Sequence, residues 1–200
     1  MIIAGAGNLG KHILDQLIHE NYAEEIIFFD DSAAIGTSVY NKYPIIKNTA
    51  ALTAYFNTSG NKFIVAVGHP RIREKVTKRI LNLGGALTKI LSAQALISTN
   101  AEIGVGSVIQ PGCCVSHNTR IGVSSIIHAH TLIGHDVSIG DYFTCGSNAN
   151  ILSPTTIGHF CTIGANTLFW PGNTLGDYVF VGAGAIVSQS LKDYETFVGR

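Results

Sequence analysis

From Ile103 onwards, an apolar residue recurs at every sixth position, and this repeat constrains the fold more than any other feature of the chain. The series continues without a break in register to Val187. A fixed six-residue period is typical of a parallel β-helix, whereas an amphipathic helix repeats every 3.6 residues and a half-buried strand every two. The repeated positions are Ile103, Ile109, Val115, Ile121, Ile127, Ile133, Ile139, Cys145, Ile151, Ile157, Ile163, Phe169, Leu175, Val181 and Val187.

Three hexads make one triangular coil, so residues eighteen positions apart are expected to stack at about 4.8 Å. The repeat therefore predicts about five coils and assigns side chains to columns. A column of glycines is interpreted as a strip where a ligand could lie against the backbone. The columns are Gly146, Gly164 and Gly182; His117, His135 and Ser153; Asp141, His159 and Asp177.

The composition changes near residue 95, which predicts an α/β domain over residues 1–90 and a β-helix with a C-terminal cap over residues 91–200. The formal net charge is zero, which argues against nucleic-acid binding. No apolar run is long enough for a membrane span, and the first residues are expected to form a strand rather than a signal peptide. Three of the four cysteines fall at interior positions, which favours a reducing cytoplasm over a metal site.

The N-terminal segment combines a short apolar strand, the glycine turn of residues 5–10 and a helix over residues 11–20. Such an arrangement favours phosphate binding, because the backbone can approach the anion and the helix N-terminus attracts it. Asp30 and Asp31 follow the glycines at the distance where an acidic residue meets a ribose or base. Because residues 1–90 hold only half of a dinucleotide fold, a mononucleotide or nucleotide-sugar site is expected. The alternative is that the glycines only allow the chain to turn and bind no ligand.

The remaining elements of this domain are predicted from apolar runs and from proline and glycine positions. Gly68 and His69 are expected beside the nucleotide site. The predicted elements are strands over residues 26–29, 44–46 and 63–67, helices over residues 49–56 and 70–83, and a strand or connector over residues 87–91.

His135 is the strongest candidate for a general base, since Asp136 follows it and can orient the imidazole. The alternative is a solvent-facing histidine that only packs against a neighbouring subunit. His159, between two aspartates of its column, is interpreted as part of a structural ladder. Exposed apolar residues, for which Phe143, Phe160 and Trp170 are the candidates, are expected to be covered by trimer packing.

Hexads of the form (Ile/Val)-Gly-x-x-(Ser/Thr)-x resemble those of the hexapeptide-repeat acyltransferases. The whole chain is similar to the sugar O-acyltransferase, sialic-acid O-acetyltransferase-like family, whose best-understood members N-acetylate nucleotide-linked 4-amino-4,6-dideoxy sugars of the bacillosamine and perosamine type. The matching stretches are IIAGAGNLGKHILDQL, FFDD, VAVGHPRIREKV, IIHAHTLIGHDVSIGDY and VFVGAGAIVSQSLKDYETFVG. The resemblance implies a small Rossmann-like domain followed by a left-handed parallel β-helix, a homotrimer with active sites between subunits, and acetyl-CoA as co-substrate.

The resemblance also implies roles for individual residues. His135 takes the place of the catalytic histidine, and Asp136 that of its acidic neighbour. No metal is expected. The implied contacts with acetyl-CoA are Thr144, Gly146, Ser153, Gly164, Ala165, Gly182 and Ala183. The implied contacts with the sugar nucleotide are Gly7, Asn8, Leu9, Asp30, Asp31, Gly68, His69 and His128.

The chain departs from the family at three places in the repeat. His128 stands where asparagine is common, Thr144 replaces a histidine of some relatives, and Ser153-Pro154 replaces a glycine. The chain also lacks the usual Pro-Ala ending.

The leading hypothesis is transfer of acetyl from acetyl-CoA to a nucleotide-linked amino sugar in the cytoplasm, for bacterial surface glycans such as lipopolysaccharide O-antigen. O-acetylation of a sugar such as sialic acid, and a non-catalytic β-helix binding protein, are the alternatives.

Overall fold

The computed structural model describes residues 1–32 and 34–199. The chain divides into two compact units, Met1–Thr88 and Lys89–Arg200. The first unit is α/β and the second is a solenoid of short parallel strands. The functional roles assigned to the predicted domains 1–90 and 91–200 stay predictions.

The first unit is a Rossmann-like sheet with β1 at its centre. In the described part of the unit the parallel order is β4-β2-β1-β5-β6, and β3 pairs antiparallel with β4 at the edge. Ile2 and Phe63, which are fully buried, lie in the apolar core of the sheet. The elements are β1 (Ile2–Ala4), α1 (Asn8–His19), β2 (Ile27–Phe29), β3 (Ser38–Val39), β4 (Tyr43–Ile46), α2 (Thr49–Ser59), β5 (Lys62–Val65), α3 (Pro70–Asn82) and β6 (Ala86–Leu87).

The second unit has three faces, each a parallel sheet in which consecutive strands come from successive coils. The first face holds Ile90–Leu91, Val108–Ile109, Ile126–Ile127, Thr144–Cys145, Thr162–Ile163, Phe180–Val181 and Thr196–Phe197. The second face holds Leu96–Ile97, Cys114–Val115, Leu132–Ile133, Asn150–Ile151, Leu168–Phe169 and Ile186–Val187. The third face holds Glu102–Ile103, Arg120–Ile121, Val137–Ile139, Thr155–Ile157 and Thr174–Leu175.

Strand pairing follows the predicted interval of eighteen residues up to Val187: Val115 pairs with Ile133 and Ile127 with Cys145. The last strand departs from it, since Val181 pairs with Phe197. The faces meet at three corners, which position the candidate site. The first corner, between the first and second faces, includes residues 128–130, 146–148, 164–166 and 182–184. The second corner, between the second and third faces, includes residues 116–118, 134–136 and 152–154. The third corner includes residues 140–142, 158–160 and 176–178.

The interior of the solenoid is filled from two positions of each hexad. The repeated apolar residue points inward, and so does the residue two positions before it, because side chains alternate along a strand. Where the second residue is polar, it satisfies a corner carbonyl: Thr119 Oγ1 donates to Gly134 O at 2.6 Å and Thr131 Oγ1 to Gly146 O at 3.1 Å. The small hydroxyl residues of the repeat thus stabilise the turns from inside.

Phe143 occupies one of these inward positions and is fully buried. The expectation that Phe143 lies on an exposed face is therefore wrong. Its place two residues before Cys145 sends the ring into the core, where it contributes about 1.5–3 kcal/mol by burial. Trp170 is exposed and Phe160 is half-buried.

Most corners require one residue with positive φ, three positions after the repeated apolar residue. Asp136 (φ 54°) and Tyr142 (φ 58°) adopt this left-handed conformation, although neither is glycine. Position 154 is one exception, because the ring of Pro154 holds φ near −65°; the Ser153–Pro154 peptide bond is cis. The departure noted in the sequence therefore alters the backbone of the second corner.

Candidate active site

His135 lies at the second corner, directly after the strand Leu132–Ile133. Its Nδ1 lies 2.7 Å from Oδ2 of Asp136, and about half of each side chain is exposed. Oδ1 of Asp136 accepts a hydrogen bond from Asn118 Nδ2 at 3.2 Å. The predicted pairing of His135 with Asp136 is present, and Asn118, which the sequence reasoning missed, fixes the carboxylate from the preceding coil.

The hydrogen bond from His135, and then that from Asn118, hold the pKa of the Asp136 carboxyl below its ordinary value. Asp136 is therefore a carboxylate at neutral pH, and a carboxylate only accepts hydrogen bonds. The proton of a neutral His135 consequently resides on Nδ1. Nε2 is left with a lone pair that can accept a proton, which is the state that a general base needs.

The predicted column of His117, His135 and Ser153 also belongs to the second corner. The His117 and His135 rings stack with centroids 5.2 Å apart and planes inclined by 13°. Ser153 lies one coil beyond His135 in this column, not at the first corner with the glycine column, and its Oγ occupies the space where a Cβ on Gly134 would project. Its assignment to the acetyl-CoA path stays a prediction.

Gly146, Gly164 and Gly182 form a column at the first corner. A Cβ on Gly146 would lie 2.4 Å from Ala165 N, and one on Gly164 would lie 2.3 Å from Ala183 N. The missing side chains of these two glycines let successive coils approach, and the interpretation of the column as a strip open to a ligand stays a prediction. The groups of this corner that could bind a ligand are those of the residues that follow the glycines.

The N–H groups of Ala165 and Ala183 donate to no acceptor among the described residues. At the third corner the corresponding groups are satisfied by side chains of the next coil. Val123 N donates to Asp141 Oδ1 at 2.9 Å, and His159 N to Asp177 Oδ1 at 2.7 Å. Alanine supplies no such acceptor, so the first corner presents donors that fit the amide carbonyls of a pantetheine arm.

The third corner accounts for His159. Asp141 N donates to His159 Nδ1 at 2.9 Å, so this histidine continues the ladder that the aspartates make. Rings of the same corner form a second ladder with spacings of 4.8–5.1 Å. It comprises Tyr142, Phe160, Tyr178 and Tyr194. The interpretation of His159 as structural agrees with this geometry.

His128 and Thr144 lie away from His135. His128 is at the first corner, in the column of Gly146, and its Nδ1 lies 3.1 Å from Gln110 Oε1, which also accepts the Ala129 N–H. Gln110 is buried and was not identified from the sequence, since nothing in the repeat marks it. Thr144 is in a first-face strand and only 8% exposed. The roles assigned to His128 and Thr144 stay predictions.

In the first unit, the glycine turn connects β1 to α1 as predicted. A Cβ on Gly10 would collide with Gly5 O, and one on Gly5 would lie 2.7 Å from Ala66 O, so both glycines serve close packing. Gly7 has open space around it and caps α1 without a side-chain hydrogen bond. The exposed first turn, Gly7 and Asn8 with half-buried Leu9, therefore presents N–H groups without an acceptor in the part of the chain that the structure describes, and such groups suit a phosphate.

The two aspartates after β2 have different environments. Asp30 accepts hydrogen bonds from Ala6 N at 2.9 Å and Ser32 N at 3.0 Å, which fixes the glycine turn to the end of β2. Asp31 forms an ion pair with Arg79, in which Oδ2 lies 2.7 Å from Nη2 of the arginine. The guanidinium of Arg79 also lies 5.2 Å from the centroid of the Phe29 ring. A cleft of about 100 Å³ opens here at the carboxyl ends of the parallel strands, where ligands of open α/β sheets bind.

The predicted pocket residues Gly68 and His69 follow β5 and are exposed. Arg73, fully buried on α3, donates through Nη1 to Val67 O and Gly68 O at 2.7 Å each. This arginine holds the segment in place. Neither Arg73 nor Arg79 was identified from the sequence, because a cation on a helix face is ordinarily solvated.

Within residues 1–32 and 34–199, no helix is long and apolar enough to cross a membrane. The same residues contain no cluster of three or more histidine, cysteine or acidic side chains that could hold a metal ion.

Comparison with known proteins gives matches for both units. The PglD N-terminal domain family matches residues 1–80. The acetyltransferase domain of PglB from Neisseria gonorrhoeae, solved with acetyl coenzyme A, is 27% identical with a TM-score of 0.89, over 98% of this chain and 93% of that one. No curated protein matches the sequence.

Two further solved structures share the fold. PerB from Caulobacter crescentus, in complex with CoA and GDP-perosamine, is 23% identical with a TM-score of 0.88, over 98% of this chain and 91% of that one. WeeI from Acinetobacter baumannii is 21% identical with a TM-score of 0.81, over 98% and 94%. The predicted resemblance to hexapeptide-repeat acetyltransferases is confirmed, and with it the Rossmann-like domain followed by a left-handed parallel β-helix.

Proposed function

We propose that this chain is an acetyl-CoA-dependent N-acetyltransferase that acts on a nucleotide-linked 4-amino-4,6-dideoxy sugar in bacterial surface-glycan biosynthesis. The observation that carries the proposal is the 2.7 Å contact of His135 Nδ1 with Asp136, which leaves Nε2 of a half-exposed imidazole as a proton acceptor. PerB, which shares the fold and was solved with GDP-perosamine, supports a substrate of this class.

In the proposed reaction the neutral amine of the sugar attacks the thioester carbonyl carbon. A carbon–nitrogen bond forms, and His135 Nε2 takes the amine proton, while Asp136 stabilises the resulting imidazolium. The tetrahedral intermediate then breaks its carbon–sulfur bond, and the imidazolium returns the proton to the leaving thiolate. The products are the amide and free CoA, without an acyl-enzyme. General-base assistance of this kind contributes about 10²- to 10⁴-fold.

The first corner supplies the proposed path for acetyl-CoA. The N–H groups of Ala165 and Ala183 have no acceptor within residues 1–32 and 34–199, and the pantetheine arm carries amide carbonyls that accept such donors. The bound acetyl coenzyme A in the PglB domain supports this co-substrate. Gly146, Gly164 and Gly182 act indirectly, by letting the coils stack at that corner.

The first unit is proposed to hold the sugar nucleotide. The N-terminal turn of α1 at Gly7, Asn8 and Leu9 offers backbone donors and a favourable dipole for the diphosphate. Asp31, fixed by Arg79 at the rim of the cleft, is the acidic group available to the ribose or base. Asp30 is already satisfied by backbone donors, so its role is to shape the turn.

We further propose a homotrimer with active sites between subunits. His135 is at the second corner and the Ala165 and Ala183 donors are at the first, at opposite edges of the second face and roughly 15 Å apart along an extended strand. A neighbouring copy can bring one corner against the other. The outer side of the second face is largely apolar, as an interface requires; it carries Leu96, Cys114, Leu132, Leu168 and Ile186.

The cytoplasm is the proposed location, since acetyl-CoA and nucleotide sugars are cytoplasmic compounds and the four cysteines are free thiols.

The test is a free-thiol assay with acetyl-CoA and a panel of UDP-, dTDP- and GDP-linked amino sugars, with free sialic acids as hydroxyl acceptors. We expect turnover on an amino sugar and a loss of about 10²- to 10⁴-fold in kcat for His135→Ala. His159→Ala is the matched control, because His159 is a similarly exposed histidine in the third-corner ladder; its turnover should equal that of the native enzyme. Undiminished turnover in His135→Ala would contradict the assignment of His135 as general base.

A further inference from the structure

His117 lies one coil before His135 at the second corner, and nothing in the proposed reaction uses it. The pairing of Val115 with Ile133 places the two histidines directly above one another. Their rings are nearly parallel, with an interplanar angle of 13° and centroids 5.2 Å apart. An offset stack of this kind is a favourable aromatic arrangement.

The hydrogen bond to Asp136 alone does not determine the orientation of the His135 ring. It holds one atom, Nδ1, and about half of the side chain is open to solvent. A ring anchored at one atom can still tilt, and tilting moves Nε2, which is on the opposite side of the imidazole. A flat surface against one face of the ring restricts this tilt, so the stack and the hydrogen bond together determine where Nε2 points.

The same coil also holds the orienting carboxylate. Asn118 donates to Asp136 Oδ1 at 3.2 Å, and Asp136 N donates to His117 O at 3.3 Å. His117 and Asn118 thus contact both members of the His135–Asp136 pair from one neighbouring turn. The two turns form one unit, in which the preceding coil supports the ring and the carboxylate separately.

We propose that His117 is a positioning residue for His135, which acts by stacking its ring on the imidazole and so aims Nε2 at the amine to be deprotonated. The inference rests on the proposed function of His135 as general base. This positioning role requires a flat ring at position 117, and it does not require a second proton-accepting group there.

The test compares His117→Phe, which keeps a flat ring, with His117→Gln, which keeps polarity and hydrogen-bonding capacity without one. We expect His117→Gln to lower kcat about tenfold, because small misplacements of a reacting group cost up to about a hundredfold, with KM for acetyl-CoA unchanged. His117→Phe should stay within about threefold of the native kcat. Equal kcat for the native enzyme and His117→Gln, or equal losses in the two variants, would overturn the proposal.

A second readout does not depend on catalysis. Nitrogen NMR relaxation of histidine-labelled full-length protein reports how mobile the His135 ring is. We expect a restricted ring in the native protein and in His117→Phe, and a mobile ring in His117→Gln, with the Nδ1–H tautomer unchanged in all three because Asp136 sets it. A His135 ring as restricted in His117→Gln as in the native protein would contradict the stacking role even if no acceptor sugar were found, whereas full activity of His135→Ala would remove only the proposed function.

Discussion

Three of the four cysteines are buried, which excludes them as nucleophiles in the proposed reaction. Cys113, Cys145 and Cys161 point into the solenoid, and burial raises the pKa of all three thiols, to about 12 for Cys145 and about 11 for Cys161. The thiolate is the nucleophilic form, so these residues stay protonated and unreactive at neutral pH. The absence of a usable thiol in the core agrees with direct attack by the amine rather than an acyl-enzyme.

Thiol titration tests this reasoning. At pH 8 the native protein should react with a disulfide reagent at no more than one of its four cysteines, Cys114, which is half-buried on the second face. Denaturant should expose all four, because unfolding restores their ordinary pKa values. Rapid modification of two or more thiols in the folded protein would show that the interior is accessible.

At the scale of the structural element, the first and third corners have the same backbone and different side chains. Both place a residue after each glycine whose N–H faces the next coil. The third corner satisfies these donors with aspartate and histidine, while the first has alanine at Ala165 and Ala183. The difference turns one edge of a regular solenoid into a row of available donors.

An aspartate introduced at the first corner, as at the third, should make the Ala165 N–H unavailable to a ligand. In Ala183→Asp the new carboxylate should accept the Ala165 N–H, as Asp141 accepts that of Val123. We expect the Kd for acetyl-CoA, measured by calorimetry, to rise about tenfold or more. The Ala165 N–H would no longer be available to the co-substrate, and the new carboxylate would add a negative charge beside the path. The melting temperature should not fall.

Val123→Asp is the matched control, since it adds the same carboxylate at the third corner, away from the proposed path. Its Kd should equal that of the native protein. Native affinity in Ala183→Asp would exclude the first-corner amides from co-substrate binding.

At the scale of the whole molecule, the proposed site requires more than one chain. His135 and the Ala165 and Ala183 amides belong to different corners, and the apolar second face lies between those corners. In a ring of identical subunits each interface joins two different patches. Each interface can therefore combine the His135 of one subunit with the donors of the next.

Subunit mixing tests this arrangement directly. Assayed with acetyl-CoA well below the Kd of Ala183→Asp, each variant alone should have at most about a tenth of the native activity. Assemblies formed from equal amounts of both should have native activity at about one site in four, because each interface pairs subunits at random. The measurement is thiol release after co-refolding, with light scattering to determine the mass of the assembly. A complex that never regains activity would place both groups in a single chain's site.

Much of the fold was predictable because periodicity encodes it. The six-residue repeat placed Val115 against Ile133 and His117 against His135, since coils of equal length stack in register. The expectation of an exposed Phe143 was wrong, although the position of this residue in the hexad points inward. The same counting placed Ser153 in the column of His135, one coil beyond it.

The sequence by itself determined the solenoid, its columns and the adjacency of His135 to Asp136, because these depend on local spacing. Only the tertiary structure identified Asn118, Gln110, Arg73 and Arg79 as partners, since each contact joins residues that no short-range pattern links. It also decided what the glycines of the first corner do: they remove side chains that would collide with the next coil, and the unoccupied donors belong to the alanines beside them.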